Sequence, residues 1–237
     1  MTGKLLQEQQ DPFVRDLQRT EKGSDALEVE REHGGDFFIT NGMASFHDEE
    51  SNTIVIGLGP NFDLGARFTQ KKWIHEKTHQ EMALTGKAAN PLDYEQEEYA
   101  ELKMEEEALA ESNGMDHLME LGLERPLRQS ESIYVDAYEQ GYRDLQMVKK
   151  WASDDELREE GRKRGKAALL QAFKDKKLVP STVPQDLTKS KEELYGYEEY
   201  YKDQWQRAWD MQKHYEYLTA TELVRLSINV SGTEMEL

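Results

Sequence analysis

The stretch DFFITNGMASFHDEESNTIVIGLG, residues 36–59, limits what this chain can fold into. DFFIT and MASFH read as two short strands joined by Asn41-Gly42, a dipeptide that accepts the positive φ angles of a tight hairpin turn. NTIVIGLG supplies a third, β-branched strand. After it the chain reads as helices separated by loops. Beyond the breaker GPNFDLG, a helix is expected from about Arg67 to Leu84, closed by Gly86, and a Glu-rich helix from about Leu92 to Glu111, ended by Asn113-Gly114. Ser153 with Glu156 and Ser190 with Glu193 have capping-box spacing and start later helices, with VPSTVPQD between them. The aromatic run Tyr195, Tyr197, Tyr200, Tyr201, Trp205 and Trp209 reads as core packing.

The expectation is an α+β fold, predominantly helical: a small antiparallel sheet, one helix following it closely, and a helical carboxy-terminal half. Residues 1–35 are expected to be a polar, loosely ordered leader with one helix near Pro12 to Arg19. Residues 36–145 are expected to form the core, with a helical region at 146–237 packed on it. NTIVIGLG is a candidate sheet edge, to which an extended substrate could add by backbone hydrogen bonds.

The chain has 237 residues, enough for one sizeable domain, with 37% hydrophobic and 33% charged residues and a formal net charge of -18. Such a surface repels nucleic-acid backbones and anionic membranes. No apolar run is long enough to span a bilayer, and MTGKLLQEQQDPFVRDLQR lacks the apolar block of a secretory signal, so a soluble protein made without a classical signal peptide is expected, with no nucleic-acid partner and no membrane insertion. There is no cysteine. Any metal must therefore be held by His, Asp or Glu.

Within WIHEKTHQEM, Trp73 to Met82, two of the six histidines stand four apart. On a helix, residues at that spacing point in nearly the same direction, so the imidazoles of His75 and His79 can converge on one ion. This spacing suits Zn2+, which lowers the pKa of a bound water, with Glu76 as the general base that takes its proton during attack on a carbonyl. Apolar Trp73, Ile74, Met82 and Ala83 flank the motif, as a half-buried helix requires.

A catalytic zinc site of this kind needs a third protein ligand. QEMALTG after His79 offers no third histidine, so the ligand must come from another helix, and the Glu-rich one offers several candidates. If Tyr99, Leu102 and Leu109 mark its buried face, Glu105 and Glu106 flank that line, whereas Glu101 and Glu107 point further away. Small Ala108 would let this helix approach the HEKTH helix. Glu105 is the first choice of metal ligand, Glu106 the alternative, and Asp93 in NPLDY the next.

With these residues in place, the chain resembles the compact HExxH zinc metallopeptidases of the gluzincin type found among bacterial secreted effectors and toxins, with a distant likeness to clostridial neurotoxin light chains. The likeness rests on HEKTH, on MEEEALAESN and on MELGLERPLRQSESIY, and covers about Ile54 to Tyr134. EEEALA is similar to the ExxA spelling of such families, whose first Glu binds zinc; mapped here, it is Glu105. The resemblance implies a zincin-type active-site helix, a zinc-dependent endopeptidase acting on a protein substrate, and Arg128 and Tyr134 as oxyanion-stabilising residues. It also implies export by a specialised secretion system into a target cell. The alternative is a non-catalytic acidic helical interaction protein in which HEKTH is accidental or decayed. Substrate and oligomeric state stay open.

Overall fold

A computed structural model of the chain describes residues 12–40, 45–48, 50–57, 65–122, 129–180 and 195–231. The element order is α1 (Pro12–Leu17), α2 (Glu21–His33), β1 (Asp36–Thr40), β2 (Phe46–Asp48), β3 (Thr53–Gly57), α3 (Gly65–Leu84), α4 (Gln96–Glu120), α5 (Gln129–Val148), α6 (Asp154–Lys174) and α7 (Tyr197–Ser231). The architecture is α+β and mostly helical, as the sequence suggests. No helix among the described residues is long and apolar enough to cross a membrane.

The sheet differs from the expected antiparallel one. Its order is β1-β3-β2, with β1 parallel and β2 antiparallel to β3. The central place falls to the strand with the strongest apolar face: Ile54 and Ile56 of β3 are fully buried, whereas Phe38, Ile39 and Phe46 of its neighbours are exposed. Because β3 is paired on both sides, it is not an edge to which a substrate strand could add. The hairpin is closed not by Asn41-Gly42, which lies outside the described residues, but by the turn between Asp48 and Thr53. There the Asp48 carboxylate accepts from Glu50 N and Ser51 Oγ, and Asn52 takes a left-handed φ of 49°, a conformation asparagine tolerates better than most residues.

The expected loose leader is ordered from Pro12 onward. Val14 and Leu17 of α1 and Ala26 and Leu27 of α2 join Ile54, Ile56, Trp73 and Ile74 in one apolar cluster, which fixes one face of α3 against the sheet. Thr20 caps α2 by accepting from Gly23 N, and its hydroxyl also meets Nδ1 of buried His117 at 2.7 Å. A second apolar cluster joins Tyr99, Met104, Ala108, Met115 and Leu118 of α4 to Tyr134 of α5, Leu169 and Phe173 of α6, and Tyr201 of α7. The aromatic residues of α7 do serve as packing: Tyr197, Tyr200 and Trp205 lie against this cluster. The capping box at Ser153 and Glu156 is present at the start of α6, while the pair Ser190 and Glu193 lies outside the described residues. The boundary drawn after residue 145 falls inside α5, which packs lengthwise on α6.

Asn113-Gly114 does not end α4, which runs on to Glu120. Gly114 is buried against α3: a Cβ there would stand 2.9 Å from both Cγ and the carbonyl oxygen of Lys71. The contacts run in opposite order along the two helices. His79 meets Glu106 and Glu107, His75 meets Glu111, Lys71 meets Glu111 and Gly114, and Gln70 meets His117, so α3 and α4 pack antiparallel. This glycine sets how near the backbones come. Gly114→Val should lower stability by about 1–3 kcal/mol, the usual cost of overpacking, read as a shifted urea midpoint; an unchanged midpoint would mean that the helices are not in contact there.

Candidate metal centre

The residues of HEKTH lie in the middle of α3, a helix unusual for the number of polar side chains it buries. Gln70, Lys71, Glu76, Lys77, Thr78 and Gln80 are all buried. Such groups are tolerated only when partnered, and partners surround them. Gln70 donates to Phe13 O, Lys77 to the Glu30 carboxylate and Gln80, and Gln80 to Gly34 O and the Asn52 side chain. Lys77 also lies over the Trp73 ring, 5.4 Å from its centroid. These contacts fix the rotation of α3 and aim His75 and His79 at α4.

The two histidines meet with their Nε2 atoms 3.2 Å apart. Glu107 closes the triangle: its Oε2 is 3.4 Å from His79 Nε2 and its Oε1 is 3.7 Å from His75 Nε2. A tetrahedral ion with bonds of about 2.0–2.2 Å to nitrogen and oxygen needs ligand atoms roughly 3.3–3.5 Å apart; the two nitrogens stand near that spacing, each faces a different oxygen of Glu107, and one donor atom from each residue lies within 4.8 Å of the others. Among the described residues, His75, His79 and Glu107 form the one group whose donor atoms converge in this way.

The far sides of the rings are also held. His79 Nδ1 is 2.7 Å from Glu106 Oε1, and His75 Nδ1 is 3.4 Å from Glu111 Oε2. With each Nδ1–H assigned to a carboxylate, each Nε2 lone pair points into the triangle, the tautomer a metal requires. Each carboxylate is backed by a lysine: Lys103 Nζ donates to Glu106 at 2.8 Å, and Lys71 Nζ donates to Glu111 at 2.5 Å and to Glu131 at 3.3 Å. Glu106 Oε2 is the only buried side-chain oxygen or nitrogen among the described residues with no hydrogen-bond partner.

Burial disfavours an imidazolium at His79, but the hydrogen bonds to Glu106 and Glu107 outweigh it and raise the pKa to about 10. His75 is likewise raised against the effect of burial, by the charge of Glu107 and the bond to Glu111. Glu107 is held down at about 2: the nearby His75 and His79 overcome a burial that pushes the other way. At Glu76 burial dominates and raises the carboxyl, even though His75 and His79 pull it down. Glu76 thus stands in the field of both histidines and of Glu107, buried and more basic than an ordinary glutamate.

The other expected site residues lie elsewhere. Glu105 and Asp93 are exposed, outside the triangle. Glu106 reaches His79, but on the Nδ1 side away from the triangle. Tyr134 is fully buried and donates its hydroxyl to Asp116 Oδ1 at 2.5 Å, a pairing that belongs to the core; Arg128 lies outside the described residues. The phenols near the centre were read from the sequence only as packing: Tyr201 donates to Glu107 Oε2 at 3.4 Å, and Tyr197 is pushed up by burial and by the charge of the same carboxylate. The helical-wheel choice failed because α4 is buried on several sides. Its Leu102 and Leu109 are only half-buried, so they do not mark the face toward α3. A better signal was the repeat of the His75-x-x-x-His79 spacing in Glu107-x-x-x-Glu111.

No protein-family model matches the chain, and no curated protein or solved structure is significantly similar to it. The geometry alone ranks the carboxylates. Glu107→Ala should abolish tight zinc binding and Glu105→Ala should leave it unchanged. Glu106→Ala, which frees a ring without removing a ligand, should weaken binding about 10- to 100-fold. Competitive chelator titration of the three variants checks this order; zinc retained by Glu107→Ala but lost by Glu105→Ala would reverse it.

Proposed function

We propose that the protein is a zinc-dependent endopeptidase of the HExxH type, with His75, His79 and Glu107 as the metal ligands and Glu76 as the general base. The observation that carries this reading is the Nε2–Nε2–carboxylate triangle, with both Nδ1 atoms anchored on carboxylates. Three protein ligands leave a fourth position open, as a hydrolytic rather than a structural zinc site requires. Bound there, zinc would act as a Lewis acid toward water and the peptide carbonyl.

The chain's own residues would do the rest. Glu76, adjacent to a ligand but not one itself, takes the proton of the attacking water and returns it to the leaving amine. Burial of its carboxyl supports that role, because a desolvated glutamate is a stronger base than one in water. Glu106 and Glu111 keep the imidazoles oriented, and their lysines keep the carboxylates in place. The acidic surface, with a net charge of -18, favours encounter with basic rather than acidic polypeptides. Action in a target cell after export rests on the resemblance to secreted effector peptidases.

Glu76→Gln should keep the fold and stoichiometric zinc yet lose roughly two to four orders of magnitude in peptide-bond cleavage, the usual worth of acid–base help. Metal analysis beside cleavage of unfolded casein separates the outcomes. Loss of zinc would make Glu76 a ligand. Metal-free wild-type protein would remove the hydrolase and leave an acidic helical binding protein.

A further inference from the structure

The carboxy-terminal helix enters the centre from the side opposite α3. It is fixed along α4 by contacts with the start of that helix and the segment before it: Trp205 Nε1 donates to Tyr94 O at 2.8 Å, Trp209 Nε1 to Pro91 O at 3.1 Å, and Gln96 Nε2 to Lys202 O at 3.2 Å. These bonds set the register of α7, so the two tyrosines one turn apart at its start face Glu107. Tyr201 is buried and donates to Glu107 Oε2. Tyr197 feels the charge of that carboxylate and packs its ring on Phe173, with centroids 4.3 Å apart. Tyr200, between them in sequence, meets the Tyr201 ring at 5.3 Å and is only half-buried.

From this geometry we infer that Tyr201, with Tyr197 beside it, positions the third metal ligand: the Tyr201 hydroxyl holds Oε2 of Glu107 and leaves Oε1, the oxygen facing His75, to bind the ion. The inference rests on the zinc reading given above. A glutamate can ligate through one oxygen or both, and chelation by both would use up the position that water or substrate needs. A phenol donating to one carboxylate oxygen competes with the ion for it and favours single-oxygen ligation. A phenol on a rigid helix does this better than a solvent molecule, because its ring is fixed by packing and little freedom is lost when the bond forms. The requirement explains why a hydroxyl of a helix that otherwise packs through its rings points toward a charged group.

The test uses the full-length protein loaded with zinc or with cobalt(II) in its place. Tyr201→Phe and Tyr197→Phe keep the rings, while Tyr200→Phe is the control. Each of the first two should bind zinc about 10-fold more weakly, and the double variant about 100-fold, as expected for groups that orient a ligand; the control should match wild type. The cobalt absorption spectrum should shift toward higher coordination number in the double variant and not in the control, a change that general loss of packing would not give. Should the Phe variants fold poorly, zinc added to the unaltered protein still gives a reading: the hydroxyls beside Glu107 should produce a tyrosine ultraviolet difference spectrum. Unchanged zinc affinity and cobalt spectrum in the double variant, or no difference spectrum on zinc addition, overturns the inference. Wild-type protein that binds no zinc instead overturns the reading on which it rests.

Discussion

The close antiparallel contact between α3 and α4 is the constraint on which the rest depends. Gly114 lets the helices come together while long side chains along that contact interleave. Charged groups taken out of water at such an interface are costly unless each finds an opposite charge and a hydrogen bond. Here that condition dictates the order of residues along both helices. Lys71, His75 and His79 on α3 face Glu111, Glu107 and Glu106 on α4, and Lys103 of α4 backs Glu106.

The other elements serve this contact from behind. The sheet, α1 and α2 hold the opposite face of α3 through Trp73, Ile74, Lys77 and Gln80. On α4, the faces away from α3 are held by α6 and α7, with Tyr134 of α5 bonded to Asp116. Arg162 of α6 reaches Asp116, Glu120 and Glu21, linking the end of α4 to the start of α2. Side chains placed between two helices buttressed in this way are held more precisely than loops alone would hold them.

Much of this was legible in the sequence because the relevant signals are local. His-x-x-x-His on a helix, the capping box at Ser153 and the β-branched TIVIG strand each depend on neighbours a few residues away, and each was found. What was missed depends on partners far along the chain. Whether β3 is central or an edge is decided by what pairs with it, not by its own residues. The carboxylate that meets both histidines, Glu107, was missed because apolar residues were taken to mark the inner face of α4, although the face toward α3 is lined by Glu107, Glu111 and Gly114. The tyrosines of α7 are indistinguishable in sequence from packing aromatics, since they are packed and also aimed at a carboxylate. At the beginning of the chain a helix near Pro12 to Arg19 was expected and α1 lies there, while α2 escaped notice because it contributes only a few apolar residues to the core.

The pairing of charges around the histidines bears on how the chain folds. Glu106, Glu107 and Glu111 find their counter-charges in Lys71, Lys103 and two imidazoles that bind protons more tightly than free histidine does. The buried charges are thus compensated from within the chain, and the helices that carry them are held by their own apolar clusters. Small zinc domains, whose ligands hold no fold together until the metal arrives, are built the other way.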